Sequence, residues 1–507
     1  MLRVLREFWR DQRGIALVLV AIMLPAIIGL SVLAIDMSRA NNLHNDLQKG
    51  GDAMALAAAA ELDGRADSIT RADRALANLV QNHYKFGGTT GVDQILQAAG
   101  VTRRYLRSLP ASDDQPITAA NVITDEVAGA FEARYVEVRV TPVGFFATFP
   151  ISFNSGNNAD NSFNIGTVSV AGFTRGVCDF TPVYICNPYE GSGDSIYSVA
   201  ADATKRRRLI ELRQQGGNTA QNSPGNYGFL QPPSGSGGAN VIRDMIAKTK
   251  SQACYDSRGV SLRPGFIATV RDALNVRFDV YNGAMNGVKN NPDYAPGQNV
   301  RKGYQMPSNG NGNACNADLA SPPDPSKYEA FPRDNCVTSP CPIAGGRVGN
   351  GNWDFNTYWN TNFATTTNPV SVPKPTGGDG VNPASTANPP TRYSVYRYEI
   401  AQGIVNHPSN GGERGTPACS SNSVSNPDRR ILYGAILNCQ ALAAAGLMSG
   451  GNSSPPLPVE AFASFFITET VESGSDQTIR VELVDVTGRE GQGTLDRFLR
   501  DEAQLYR

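Results

Sequence analysis

The chain opens on an apolar run that no charge interrupts. Residues 15–35, bounded by Ile15 and Ile35, read IALVLVAIMLPAIIGLSVLAI, and the flanking charges are Arg13 and Asp36. A helix of that length, at about 1.5 Å per residue, just crosses a bilayer's apolar layer of roughly 30 Å. Backbone amides in lipid have no water to bond to, so the run is expected to be helical throughout, with Pro25 accommodated by a local adjustment. A cleaved signal peptide is the other reading, with Val32 and Ala34 as the small residues before the cut. Signal peptides usually carry an apolar region of about 7–15 residues, shorter than this one, so retention as a transmembrane helix is expected.

Past Asp36 the pattern turns from continuous to periodic. Ala40, Leu43, Leu47, Gly50, Met54 and Ala57 recur in steps of three and four, with no proline before Leu62, so the helix is expected to continue. Small residues crowd its end, among them Gly50, Gly51, Ala53, Ala57 and Ala60. They fit packing against the helix's own domain, or a close intermolecular seam through which copies could associate. A second helix is predicted over 68–83. The period then drops to two at 135–140 (YVEVRV), 145–149 and 167–173, around an Asn-rich loop at 154–164. A helix followed by an antiparallel meander gives an α+β module over 36–175, with the outline of a pilin subunit.

Residues 178–507 are predicted as one larger α/β domain. Its elements are a basic helix at 203–214, helices at 240–250 and 264–276, a strand at 431–437, a short Ala-rich helix, and strands at 461–471 and 478–486. A closing amphipathic helix is read through Leu495, Phe498, Leu499 and Leu505. A loop-rich insertion spans about 281–427, where Asn, Gly, Pro and Thr are dense, and its clearest strand is 393–400 (YSVYRYEI).

Charge adds a direction. Arg3, Arg6, Arg10 and Arg13 precede the span and only Arg39 and Lys49 closely follow it, so residues 1–14 are expected in the cytoplasm and the body outside. Lys and Arg number 45 against 46 acidic residues, so no global field favours nucleic acid and no such partner is expected. All eight cysteines, Cys178, Cys186, Cys254, Cys315, Cys336, Cys341, Cys419 and Cys439, lie past the span and read as disulfides. Proximity favours Cys178 with Cys186, and then Cys419 with Cys439.

Catalytic and metal chemistry is sparse. The three histidines, His44, His83 and His407, are isolated, and no Cys-x-x-Cys pair supports zinc. No Gly-x-Ser-x-Gly elbow and no phosphate loop is present. Residues 309–318 (NGNGNACNAD) offer oxygen atoms for calcium but lack the bidentate glutamate. No cofactor is expected.

The N-terminal residues resemble a known family. Arg13-Gly14, the span broken by Pro25, Asp36, and Leu47-Gln48 leading to Asp52-Ala53 and the alanines after it are similar to the TadE/TadG-like proteins of Flp (tight adherence) pilus assembly. CDFTPVYICNP, PGNYGFL, LNVRFDVYN and DRRILYGAILNC extend the likeness to the exported part of TadG-like members. The resemblance implies a single-pass protein of the bacterial inner membrane with a periplasmic body. It implies a non-enzymatic part in assembling or anchoring the pilus, through contacts with pilin or other assembly proteins. Many members carry a von Willebrand A metal site opening Asp-x-Ser-x-Ser; here Asp36-Met37-Ser38 is followed by Ala40, so no intact site is expected. The alternatives are an exported hydrolase of cell wall or glycan, and a secreted surface adhesin.

Overall fold

The computed structural model describes residues 13–62, 67–78, 82–88, 93–110, 112, 114–127, 129–130, 133–149, 161–215, 222–233, 235, 237–251, 253–256, 259–304, 306, 315–319, 324–338, 341, 343–364, 369–407, 412–449, 456–487, 491–495 and 498–506. The topology-setting Arg3, Arg6 and Arg10 lie outside these residues. One helix, α1 (Arg13–Ala59), runs 47 residues through Pro25. Its first half is exposed; Ile22 is 69% accessible and Leu30 67%. It is the one helix among the described residues long and apolar enough to cross a membrane.

The chain divides into two compact units, residues 1–174 with 501–507, and residues 175–500. In the first, the second half of α1 lies on an antiparallel sheet. Strands β1 (Asn82–Tyr84) and β2 (Gln94–Leu96) pair as a ribbon, and β3 (Val101–Leu106), β4 (Tyr135–Val140) and β7 (Val168–Val177) form the main sheet. Between β4 and β7 a separate hairpin joins β5 (Val143–Phe146) to β6 (Ser162–Ile165). Period-two burial explains the pairing: Val136, Val138 and Val140 face Leu43, Leu47, Met54 and Ala58 in one core. The helix Ser68–Asn78 closes that core with Ile69, Ala72 and Leu76. It stops short of the expected end, and His83 belongs to β1 instead.

The second unit departs from the α/β expectation, for its centre is a barrel. The strands β8 (Val183–Cys186), β9 (Leu209–Gln214), β10 (Asn226–Leu230), β13 (Ile431–Leu437), β14 (Ala461–Ile467) and β15 (Ile479–Val486) close in the order β10-β8-β13-β14-β15-β9 and back to β10. The β8–β13 and β9–β10 pairs are parallel and the others antiparallel. Alternate residues such as Ile185, Leu212, Phe229, Ile436, Phe465 and Val481 fill the interior. A Cβ at Gly434 would stand 2.7 Å from Ile185 Cδ1, so glycine is what lets β13 and β8 close there. Because the outward residues are buried as well, these strands read as nearly continuous apolar runs.

Several predicted elements change identity. Residues 203–214 split into a one-turn helix, Ala203–Arg206, and strand β9, since Ile210, Leu212 and Gln214 must face inward to close the barrel. Residues 393–400 are helical (Arg392–Ala401): Arg392, Val395, Tyr396 and Glu399 are the buried positions, at helical spacing, and Thr391 caps the start by accepting from Ser394 N. The helix expected from Pro264 begins at Val270. The C-terminal residues form a strand, Leu499–Leu505, that pairs with β7 rather than a helix. The region 281–427 carries its own aromatic core, built around Phe331, Trp353, Tyr358 and Tyr396.

Disulfide pairing departs from proximity too. The bonds are Cys178–Cys254, Cys186–Cys439, Cys315–Cys419 and Cys336–Cys341. Cys186 ends β8, and an extended strand at about 3.3 Å per residue carries it out of the reach, under about 7 Å between Cα atoms, that a bond to Cys178 needs. Cys186 instead meets Cys439 because β8 and β13 run side by side, with Cys186 opposite Leu437. Strand β13 likewise separates Cys419 from Cys439.

Mass mapping of the unreduced chain is therefore expected to recover peptides joining Cys186 to Cys439 and Cys178 to Cys254. Replacing Cys186 and Cys439 together by alanine should lower stability by about 2–5 kcal/mol. A peptide linking Cys178 to Cys186 would contradict this assignment.

Candidate functional site

Within the first unit the residues of the N-terminal motif do their work along α1. Its contact stripe starts low: Gly29 and Val32 are half-buried among exposed neighbours, and Asp36 is only 4% accessible. Asp36 Oδ2 accepts the Phe149 amide at 2.6 Å, and its other oxygen accepts from Arg39 at 3.0 Å. The Arg39 guanidinium also lies over the rings of Phe86 and Phe145, 5.4 and 5.3 Å from their centroids. Together these groups form a collar that fastens the β5–β6 hairpin to the helix where its exposed apolar half ends.

Three turns on, Gln48 and Asp52 make a second fastening. Gln48 donates to Asp52 Oδ1 at 2.7 Å and to Ser169 Oγ at 3.1 Å, and Ser169 donates to the same Asp52 oxygen at 2.7 Å. This polar link holds α1 to β7 between two apolar layers. The small residues beside it have a defined use. A Cβ on Gly50 would stand 2.7 Å from Leu96 Cδ2, and one on Gly51 would stand 2.8 Å from Ser169 Oγ. Each glycine costs a helix about 1 kcal/mol relative to alanine, and the close approach of the sheet offsets that cost. Ala53 and Ala57 lie half-buried on the flank and Ala60 is exposed, while Ala55, Ala58 and Ala59 fill the core.

In the second unit a cleft of about 450 Å³ is lined by Lys248, Lys250, Arg277, Arg429, Asp179 and Asp428, among others. Its two buried arginines are committed to carbonyl oxygens. Arg277 donates to those of Arg429, Ile431 and Ile246, and Arg429 to those of Ala295, Lys248 and Ala247. Three of these carbonyls end the helix Ala239–Ala247, whose negative pole the guanidiniums neutralise. Burial pushes Arg277 down to about 10, and burial with the nearby Arg277 lowers Arg429 well below its usual value. Asp428 is held by Tyr393 and Arg397. Such a cleft can present positive charge and amides to a ligand.

The carboxyl groups with raised pKa values lie elsewhere. Glu482 of β15 is fully buried and accepts from Arg392 and the Tyr393 amide; Asp334 takes the other side of the Arg392 guanidinium at 2.7 Å. Burial drives Glu482 up to about 7 against the pull of Arg392. Glu399 is also fully buried, accepting from Asn299 and Tyr358, and burial raises it. Arg392 and Glu482 bind the insertion to the barrel, whereas Glu399 and its two donors hold the insertion together internally. The basic run at 205–208 is engaged within the unit: Lys205 and Arg208 both donate to Asp194, whose carboxyl they hold below its usual range.

His44 and His83 are exposed, and His407 is half-buried beside Phe363. Among the described residues no group of three or more His, Cys, Asp and Glu side chains could hold a metal ion. Most of 309–318 lies outside those residues, and its Asp318 pairs with Arg271 at 2.9 Å. Comparison with known proteins found no matching family model, no similar curated protein and no similar solved structure.

Two expectations follow. Gly51→Leu, driven into Ser169 and Val140, should cost about 1–3 kcal/mol by overpacking, whereas Ala60→Leu should change stability by less than about 0.5 kcal/mol. Thermal melts of the two full-length variants measure the contrast. The second concerns pH. A carboxyl raised in the folded state favours folding at low pH, and that contribution is lost as pH climbs from its unfolded value toward about 7. The wild type should therefore lose stability relative to Glu482→Gln between about pH 5 and 8. A flat difference over that window would mean that Glu482 is ionised in the fold throughout.

Proposed function

We propose that the protein is a membrane-tethered, non-enzymatic component of a Flp/Tad-type pilus assembly system, acting through protein contacts outside the inner membrane. The observation that carries this reading is the dual character of α1. Its first half is apolar and largely exposed among the described side chains, and its second half is built into a disulfide-free α+β unit without a break. A helix of that kind couples a bilayer to a folded body rigidly, as an assembly or anchoring part requires. The helix-on-sheet arrangement supports the pilin-like outline. The resemblance of Arg13-Gly14, Asp36, Gln48 and Asp52 to TadE/TadG-like proteins supplies the pilus context.

The tether reads as crossing once, with residues 1–14 in the cytoplasm and both units in the periplasm. The disulfides of the second unit fit that compartment. A contact role also suits Glu399 and Glu482 of the second unit, whose raised carboxyls are fully buried and taken up by structural partners.

Alkaline phosphatase fused after residue 175 should be active in cells, and a reporter that works only in the cytoplasm should be silent there. Cross-linking of cell envelopes followed by capture of the full chain should bring down pilin or another pilus-assembly protein. A silent phosphatase would refute the topology, and capture without any pilus component would refute the pilus role.

A further inference from the structure

We propose that the β5–β6 hairpin is a second membrane contact, with Phe146, Phe149 and Phe163 set at the headgroup layer and its inner boundary, beside the point where α1 leaves the lipid. The inference rests on reading α1 as a membrane span. What it adds is a site on the body that touches lipid.

The first observation is depth. The amide of Phe149 docks on Asp36, the first charge after the apolar run, yet its ring reaches down to Gly29, where a Cβ would stand 3.7 Å from Phe149 Cε2. Gly29 lies two turns before Asp36, about 10 Å along the helix axis. If the span is in lipid, a side chain packed against Gly29 is below the level of the headgroups.

The second observation is the hairpin's surface. Phe146 is 37% accessible and Phe163 41%. The register pairs Phe146 with Ser162 and Phe145 with Phe163, so the two exposed rings lie on opposite faces of the ribbon. A single exposed apolar residue is ordinary on a protein surface. A two-stranded ribbon that keeps a part-exposed aromatic ring on each face, although Phe145 and Ile165 sit in the core, and that lies against an exposed apolar helix, is not. Residues 141–149 and 161–165 carry no charged side chain, although 18% of the whole chain is charged. Phe is among the side chains that interfacial segments bury about 5–10 Å into the boundary between headgroups and acyl chains, and at that depth strand edges still reach water. The headgroup layer therefore suits this ribbon better than the acyl interior, which would leave its edge amides unpaired.

The test uses the full chain, whose eight native cysteines are all in disulfides. Phe146→Cys, Phe163→Cys, Ile22→Cys and Val127→Cys are made singly and labelled with the fluorophore NBD. All four positions are exposed, so the label is tolerated, and a thermal melt of each variant checks it. Val127 is the control: Ser68 Oγ bonds the Ala130 carbonyl, which places that loop at the far end of α1. Proteins are reconstituted in phosphatidylcholine–phosphatidylglycerol vesicles with or without nitroxide-labelled lipid. Labels at 22, 146 and 163 should show blue-shifted emission that nitroxide lipid quenches, and the label at 127 should show neither. Quenching at 22 with 146 and 163 behaving like 127 overturns the hairpin contact and leaves the span intact. Absence of quenching at 22 overturns the span, and with it the anchor reading on which this inference stands.

Discussion

The bond from the Phe149 amide to the buried Asp36 carboxylate decides how the first unit is built. A helix that is apolar on every side has no preferred face, and nothing in its first half selects which side the sheet should cover. Asp36 supplies that choice. A carboxylate that is nearly inaccessible must find donors, and its two are one residue of the β5–β6 hairpin and Arg39 on its own helix. From that point the contact stripe through Leu43, Leu47, Gly50 and Met54 is in register with the sheet, and Gln48 with Asp52 repeats the fastening further on. Polar groups at these places confer little net stability. Their value lies in orientation, because a rotation of α1 would strand them without partners.

The second unit solves a related problem with buried arginines. Its long excursion between β10 and β13 has to be held to the barrel, and apolar contact alone would leave many loop carbonyls unpaired. Arg277 and Arg429 gather such carbonyls, while Arg392 bridges Asp334 in the excursion to Glu482 in the barrel. Removing one partner of a buried pair of this kind is far more damaging than never having had it. The disulfide Cys315–Cys419 ties the excursion within itself, and Cys186–Cys439 joins the ends of the barrel strands β8 and β13. The region that looked loop-like from composition is thus among the most firmly tied parts of the molecule.

How much of this could be read beforehand depended on whether the signal was local. The α1 stripe, the strand at 135–140 and the run at 431–437 were legible because periodicity records burial directly. The helix Arg392–Ala401 was not, since its aromatic residues alternate as in a strand; its one local sign was Thr391 after two prolines, a capping residue at a helix start. Residues 209–214 follow a basic turn that favours helix, and only closure of the barrel makes them a strand. Disulfide pairing depended entirely on which strands became neighbours. The cleft between Arg277 and Arg429 had no linear signature, because its two arginines stand far apart in the chain and meet only through the helix end they cap.

The same comparison bears on what the family-like motif signifies. Asp36, Gln48 and Asp52 are each engaged inside the first unit, and Gly50 and Gly51 are closed over by β1, β2 and β7. Residues so committed cannot also bind a partner without opening the core. These residues therefore serve to seat α1 on its sheet, and they describe a fold more than an interface. Any contact with other proteins would fall to surfaces that they leave free. A resemblance confined to such residues then carries architecture further than it carries partners, which is why partner capture and membrane-depth measurements bear on different parts of the functional reading.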